Sequence, residues 1–133
     1  MKHDALLELL KDISSWSELE ALISRLPTAI NRGEAFEGFC KAFFILEPVF
    51  QFKEVYSQSE MPYSLSERLG YPNVQDIGID GLAVTSDDKL YAYQAKFRTE
   101  RNNTPTLREL STFFTMSDKA DWRIVISNAN KLT

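Results

Sequence analysis

Asp80, Gln94 and Lys96, with Glu37 far upstream, combine side-chain types suited to phosphoryl chemistry. A polar turn, Ser86-Asp87-Asp88, separates two runs of strand-like composition, 77–85 and 90–97. A hairpin centred near Asp87 sets Asp80 opposite Gln94, because the two are equidistant from the turn. Side chains alternate faces along a strand, so Gln94 and Lys96 point the same way. An acid, an amide and an ammonium then gather at one end of the hairpin. Such grouping costs desolvation energy unless the groups serve something.

The chemistry they suit is phosphodiester hydrolysis. A hard divalent cation such as Mg²⁺, with Mn²⁺ as a substitute, takes oxygen ligands. The Asp80 carboxylate, the Gln94 amide oxygen, the Ala95 backbone carbonyl and waters would supply them. The cation would polarise a phosphate and acidify a bound water. Lys96 would orient that water or stabilise the charge of the transition state. Glu37 would hold a metal-bound water or a second metal. Taken singly, each residue has a plainer explanation. Asp80 precedes Gly81 and could end a turn. Lys96 could guard an edge strand, and Glu37 could pair with Lys41 four residues on. Their joint spacing is what raises them above those explanations.

The elements that must position these groups are legible in outline. Leu6, Leu7, Leu10 and Ile13 recur at helical spacing over 4–14. Ser17 with Glu20 reads as a capping box for a second short helix, which Pro27 stops. A third helix spans about 28–46, with Phe36, Phe39, Cys40, Phe43 and Phe44 as its buried stripe. Gly33 either weakens it or permits close packing. Glu37 borders the stripe and can reach over the sheet the helix covers. A strand follows near 52–57. The segment 58–75 is irregular, with a short helix near Ser64 and Glu67 and a turn at Gly70-Tyr71-Pro72-Asn73. After the hairpin and a polar loop, 98–105, Thr106 and Glu109 form a capping box. That helix is expected to bury Leu107, Leu110 and Phe114. The run 123–127 reads as a buried strand.

Composition bounds the class. Hydrophobic residues make up 44% and charged residues 26% of 133, so one folded domain is expected. One cysteine and one histidine exclude a disulfide and a structural zinc site. Cys40 lies on an apolar helix face and is expected in the core. No phosphate-binding Gly-x-x-x-x-Gly-Lys loop occurs. No apolar run reaches membrane-spanning length and no signal peptide is evident, so no membrane partner is expected and a reducing cytoplasm is the expected location. The net charge is −4, yet Lys89, Lys96, Arg98, Arg101 and Arg108 stand against Glu100 alone between 89 and 108. Arg98, Arg101 and Arg108 are therefore candidates for phosphate contacts with DNA, against the alternative of a solvated loop and helix surface.

Three segments carry a family resemblance: Arg32-Gly33-Glu34-Ala35-Phe36-Glu37, Asp76-Ile77-Gly78-Ile79-Asp80-Gly81 and Tyr93-Gln94-Ala95-Lys96-Phe97. Together they resemble the Mrr-like branch of the PD-(D/E)xK nucleases, in which glutamine commonly replaces the second metal-binding acid. The resemblance is nearest to the N-terminal domain of type ISP restriction-modification enzymes and of helicase-fused restriction proteins. It covers about 29–128. It implies an α/β, restriction-endonuclease-like αβββαβ core: a central mixed sheet flanked by helices, with extra N-terminal helices. It also implies catalytic roles for Asp80, Gln94 and Lys96, with Glu37 supporting the metal. The expected organisation is one nuclease domain over 1–133, a helical extension over 1–27 and the core over 28–133, at the N-terminus of a larger protein. Double-stranded DNA is the expected partner, a helicase or translocase domain is expected downstream, and oligomerisation is left open. Two features depart from the family: the length of 58–75, and Gly81 where relatives carry an apolar residue. The rival functions are an inactive DNA-binding module on the same fold and a protein-interaction domain that regulates a motor.

Overall fold

The computed structural model describes residues 15–70 and 78–132. The helix expected over 4–14, the turn at 71–73 and the first residue of the strand expected from 77 lie outside the described residues. In chain order the elements are α1 (Trp16–Ser24), α2 (Ala29–Leu46), β1 (Phe52–Ser57), a 3-10 turn (Gln58–Glu60), α3 (Tyr63–Leu69), β2 (Gly81–Thr85), β3 (Leu90–Lys96), α4 (Leu107–Met116) and β4 (Trp122–Ser127). The sheet order is β1-β2-β3-β4. The first two pairings are antiparallel and β3 with β4 is parallel. This is a mixed α/β sheet, with α4 as the crossover that a parallel pair requires. The αβββαβ order read from the sequence is present.

Local chemistry accounts for the helix starts. Thr28 accepts from the Asn31 N–H at 3.0 Å and opens α2. Thr106 accepts from the Glu109 N–H, and Glu109 accepts in return from the Thr106 N–H at 2.8 Å, which closes the expected capping box. The start of α1 differs from expectation. Ser15, not Ser17, is its cap, accepting from the Glu18 N–H at 3.3 Å. The reason lies in packing: with Trp16 already helical, its ring meets Phe39 at 5.2 Å and Phe36 at 6.1 Å.

Two apolar clusters fill the two faces of the sheet. Leu19 and Ile23 of α1, Phe36, Cys40 and Phe44 of α2, and Val55, Ala83, Tyr93 and Ala95 of the sheet form one. Leu65 and Leu69 of α3, Phe113 of α4, and Leu82, Val84, Leu90 and Ala92 form the other. Helix α1 thus shares a core with the sheet. Gly33 has no neighbour near the position of a Cβ, so it serves no close approach. Two expectations about burial are corrected. In α4 the buried residues are Leu110 and Phe113, and Phe113 belongs to the cluster with Leu82, Val84, Leu90 and Ala92 of the sheet. Leu107, in the first turn, is 64% exposed, and Phe114 is half-buried. Strand β4 is not a buried central strand but a sheet edge. Trp122 is 60% exposed and 124–127 are half-buried.

Gly81 also has a structural reason. A Cβ there would fall 2.2 Å from the Tyr93 ring and hydroxyl and 2.4 Å from the Tyr56 carbonyl oxygen. The Tyr93 hydroxyl donates to that same carbonyl at 3.2 Å. The tyrosine ring therefore fills the space that an apolar residue would take at position 81. Gly81→Ala should destabilise the fold by about 1–3 kcal/mol in urea denaturation, the range for overpacked sites. Adding Tyr93→Phe should not restore it, since the Tyr56 backbone still obstructs. Unchanged stability of Gly81→Ala would refute the role given to that ring.

Candidate active site

The hairpin register is Gly81↔Tyr93, Leu82↔Ala92, Ala83↔Tyr91 and Val84↔Leu90, centred on Asp87 as expected. At Asp80 it changes. The Asp80 N–H donates to the Tyr93 carbonyl at 3.0 Å, although Tyr93 is already the partner of Gly81. Two consecutive residues of one strand thus face one of the other, which is the arrangement of a β-bulge. The Ala95 N–H, which would otherwise bond to the next backbone carbonyl, donates to Asp80 Oδ2 at 2.7 Å. On the outer side, the Gln58 N–H donates to the Asp80 carbonyl at 2.9 Å. The Asp80 carboxylate is therefore held in the plane of the sheet, where β2 would have continued.

That placement corrects the expectation of a simple opposition between Asp80 and Gln94 on one face. Tyr93 and Ala95 pack beneath α2, whereas Ala92 packs on the other side. Alternation gives Gln94 and Lys96 to the side of Ala92. An in-plane carboxylate is open to both sides. Glu37, from α2, lies beside Asp80, and the charge of Lys96 bears on both acids. The structure thus brings Glu37, Asp80 and Lys96 together. Gln94 is buried in β3 between the two residues that bond to Asp80, and its Oε1 has no hydrogen-bond partner among the described residues.

Electrostatics follow from this geometry. Glu37 is pushed up to about 8, first by burial, then by the Asp80 charge and hydrogen bond and by Glu34, with Lys96 opposing. Asp80 is also raised, by burial, while the Ala95 N–H, the Glu37 hydrogen bond and Lys96 hold it down. The two acids together therefore hold a proton to higher pH than an isolated carboxyl would. Burial pushes up the Cys40 thiol and the Tyr93 phenol, and the neighbouring acids add to both shifts. Cys40 is a core residue, as expected.

Two adjacent carboxyls and an orphaned buried amide oxygen match the donor set of a hard divalent cation. Among the described residues no three His, Cys, Asp or Glu side chains gather at one point. An apolar recess of about 390 Å³ between α1, α2 and β4, lined by Trp16, Phe36, Phe39, Phe43 and Ile126 among others, contains none of these groups.

The three arginines have different surroundings. Arg98 forms a two-pronged pair with Glu109 at 2.6 and 2.7 Å. Arg101 pairs with Glu20, its Nη2 at 2.6 Å and its Nε at 3.0 Å from each carboxylate oxygen. Arg108 is exposed, with no ion pair among the described residues. Sequence reasoning missed Asn128. Its side chain accepts from the Arg98 N–H at 2.7 Å and donates to the Arg98 carbonyl at 2.6 Å, clasping the backbone just after Lys96. It also donates to Glu20 at 2.8 Å. A lone asparagine after a strand carries no signal that could have revealed this.

A family model described as a restriction endonuclease, of the Mrr catalytic type, matches residues 47–133. The match includes Asp80, Gln94 and Lys96 and begins after Glu37. No curated protein and no solved structure matches the chain.

The raised proton affinity of Glu37 has a consequence for stability. Its folded pKa, about 8, lies above the value of about 4.3 in an unfolded chain. The folded state therefore holds a proton that the unfolded state has lost. The resulting stabilisation is full below the unfolded value and is lost as pH rises through the folded one. Without divalent metal, the thermal midpoint should fall by about 5 °C or more between about pH 5 and pH 9. Glu37→Gln should flatten that decline. An equally steep decline in the variant would show that the proton lies elsewhere.

Proposed function

The chain belongs to the restriction endonuclease family, and from that premise we propose that it hydrolyses phosphodiester bonds of double-stranded DNA with the help of Mg²⁺, for which Mn²⁺ can substitute. The observation that carries this reading is the contact between Glu37 and Asp80 at the bulge, with Lys96 beside both. Asp80, the Gln94 amide oxygen and the Ala95 carbonyl would hold the cation, with Glu37 as a further ligand or as the acceptor for a bound water. When bound, the cation supplies Lewis acidity toward the phosphate and toward water. The Ala95 N–H and Lys96 favour the anionic form of Asp80 against its burial. Glu37, whose proton affinity is raised by burial and by Asp80, would serve as a ligand in its deprotonated form. Lys96 orients the attacking water or meets the negative charge that develops on the phosphate.

Arg98, Arg101 and Arg108 are proposed to contact phosphates without reading bases. Their pairs with Glu109 and Glu20 hold two of them in place, and Arg108 is free to reach outward. A role in restriction or anti-phage defence, with a helicase-like motor downstream, belongs to the same proposal and is supported by the three resembling segments.

Supercoiled plasmid should be nicked by the chain with Mg²⁺ or Mn²⁺ and left intact without them. Asp80→Ala should lose cleavage through weaker metal binding, with partial rescue by excess Mn²⁺. Lys96→Ala should lose cleavage with metal binding retained and no rescue. Both should keep their fold by circular dichroism and their DNA affinity. A folded Lys96→Ala protein that nicks at the unsubstituted rate would end this mechanism. Replacing any one of the three arginines with alanine should lower the salt dependence of DNA binding by about one unit on a log–log plot, for all sequences alike.

A further inference from the structure

Lys41 stands four residues after Glu37 on α2, the spacing at which a glutamate and a following lysine pair across one helical turn. They do not pair. The Lys41 ammonium donates to Glu60 at 2.5 Å, and its side chain is only 16% exposed. Glu60 is well prepared to hold it. The same Oε1 accepts from the Ser57 N–H at 3.2 Å and from the Ser57 hydroxyl at 2.5 Å, at the start of the 3-10 turn. These contacts hold Glu60 down to about 2, so it stays anionic. The charges that bear on Glu37 are instead Asp80, Glu34 and Lys96.

A lysine drawn onto Glu37 would turn that carboxylate away from Asp80 and place a fixed positive charge where a cation would sit. We infer that Glu60 is a positioning residue that sequesters Lys41, leaving the Glu37 carboxylate beside Asp80 to complete the metal site. This rests on the proposed metal site. It adds a cause for the competence of that site which lies outside the catalytic segments.

The test uses the full chain and Mn²⁺ alone, with free Mn²⁺ followed by electron paramagnetic resonance. Glu60→Gln keeps an oxygen for Ser57 and removes only the charge. It should weaken Mn²⁺ binding about tenfold, the lower end of the effect of removing an outer-shell partner. Adding Lys41→Met to Glu60→Gln should restore the affinity to within about twofold, because the competing ammonium is then gone. A brace that merely supported the fold would not be repaired by a second deletion. Lys41→Met alone should bind Mn²⁺ as the unsubstituted chain does, so a loss there overturns the inference even if Glu60→Gln melts. Unchanged affinity in a folded Glu60→Gln, no recovery in the double variant, or a loss in Lys41→Met overturns the inference. Asp80→Ala separates the two levels. If it binds Mn²⁺ as tightly as the unsubstituted chain, the metal-site reading fails and takes this inference with it. If Asp80→Ala loses the ion while Glu60→Gln keeps it, only the role of Glu60 is lost.

Discussion

The candidate site depends on one hydrogen bond, from the Ala95 N–H to the Asp80 carboxylate. At the end of a sheet, a backbone N–H without a partner has to be satisfied by something other than the ladder. The bulge at Asp80 turns the backbone of β2 out of register, and its side chain takes the place of the missing carbonyl. The same bond favours the charged form of a carboxylate whose burial disfavours it, at the junction of the two faces of the sheet. Glu37 reaches it from the helix side and Lys96 from the opposite side. Without the bulge, the three would be divided between faces.

The surrounding fold keeps that junction rigid. The aromatic layer of α2 runs from Phe36 through Phe44 to Tyr93, whose ring lies 4.9 Å from that of Phe44. Tyr93 crosses Gly81 and bonds to the Tyr56 carbonyl, tying β1, β2 and β3 together one residue from Asp80. Beyond Lys96, Asn128 clasps Arg98 from the end of β4. Asp80 and Lys96 therefore sit at strand ends and Glu37 within α2, all on elements fixed by packing. Arg98 and Arg101 sit in loops fixed by ion pairs. Exposed ion pairs contribute little to stability, so Glu109 and Glu20 act here mainly by orienting the guanidinium groups.

The family match and the structure support different parts of the site. The match begins at position 47 and includes Asp80, Gln94 and Lys96. Glu37 lies before it and is tied to the site by its contact with Asp80 alone. Lys41 and Glu60 belong to neither catalytic segment. A helix presents residues four apart on one side, yet Lys41 turns from Glu37 to Glu60.

Much of the architecture was legible because it rests on short-range rules. Alternation and a polar turn located the hairpin and its centre. Thr106 marked a helix start through capping, and Phe36, Cys40 and Phe44 marked the buried face of α2, with Phe39 and Phe43 half-buried beside them. These signals are carried by residues within a few positions of one another. Where neighbouring rules compete, the outcome needed tertiary contacts. Ser15 displaced Ser17 as a cap because Trp16 packs on Phe36 and Phe39. Phe113 rather than Leu107 entered the core because the sheet selects the face of α4. The bulge at Asp80, the choice of Glu60 over Glu37 by Lys41, and the grip of Asn128 on Arg98 join residues 15, 19 and 30 positions apart. Sequence by itself determined which chemistry is available and on which elements it stands. Which acid meets which base was decided only by the folded chain, because those energies depend on distances that no local pattern encodes.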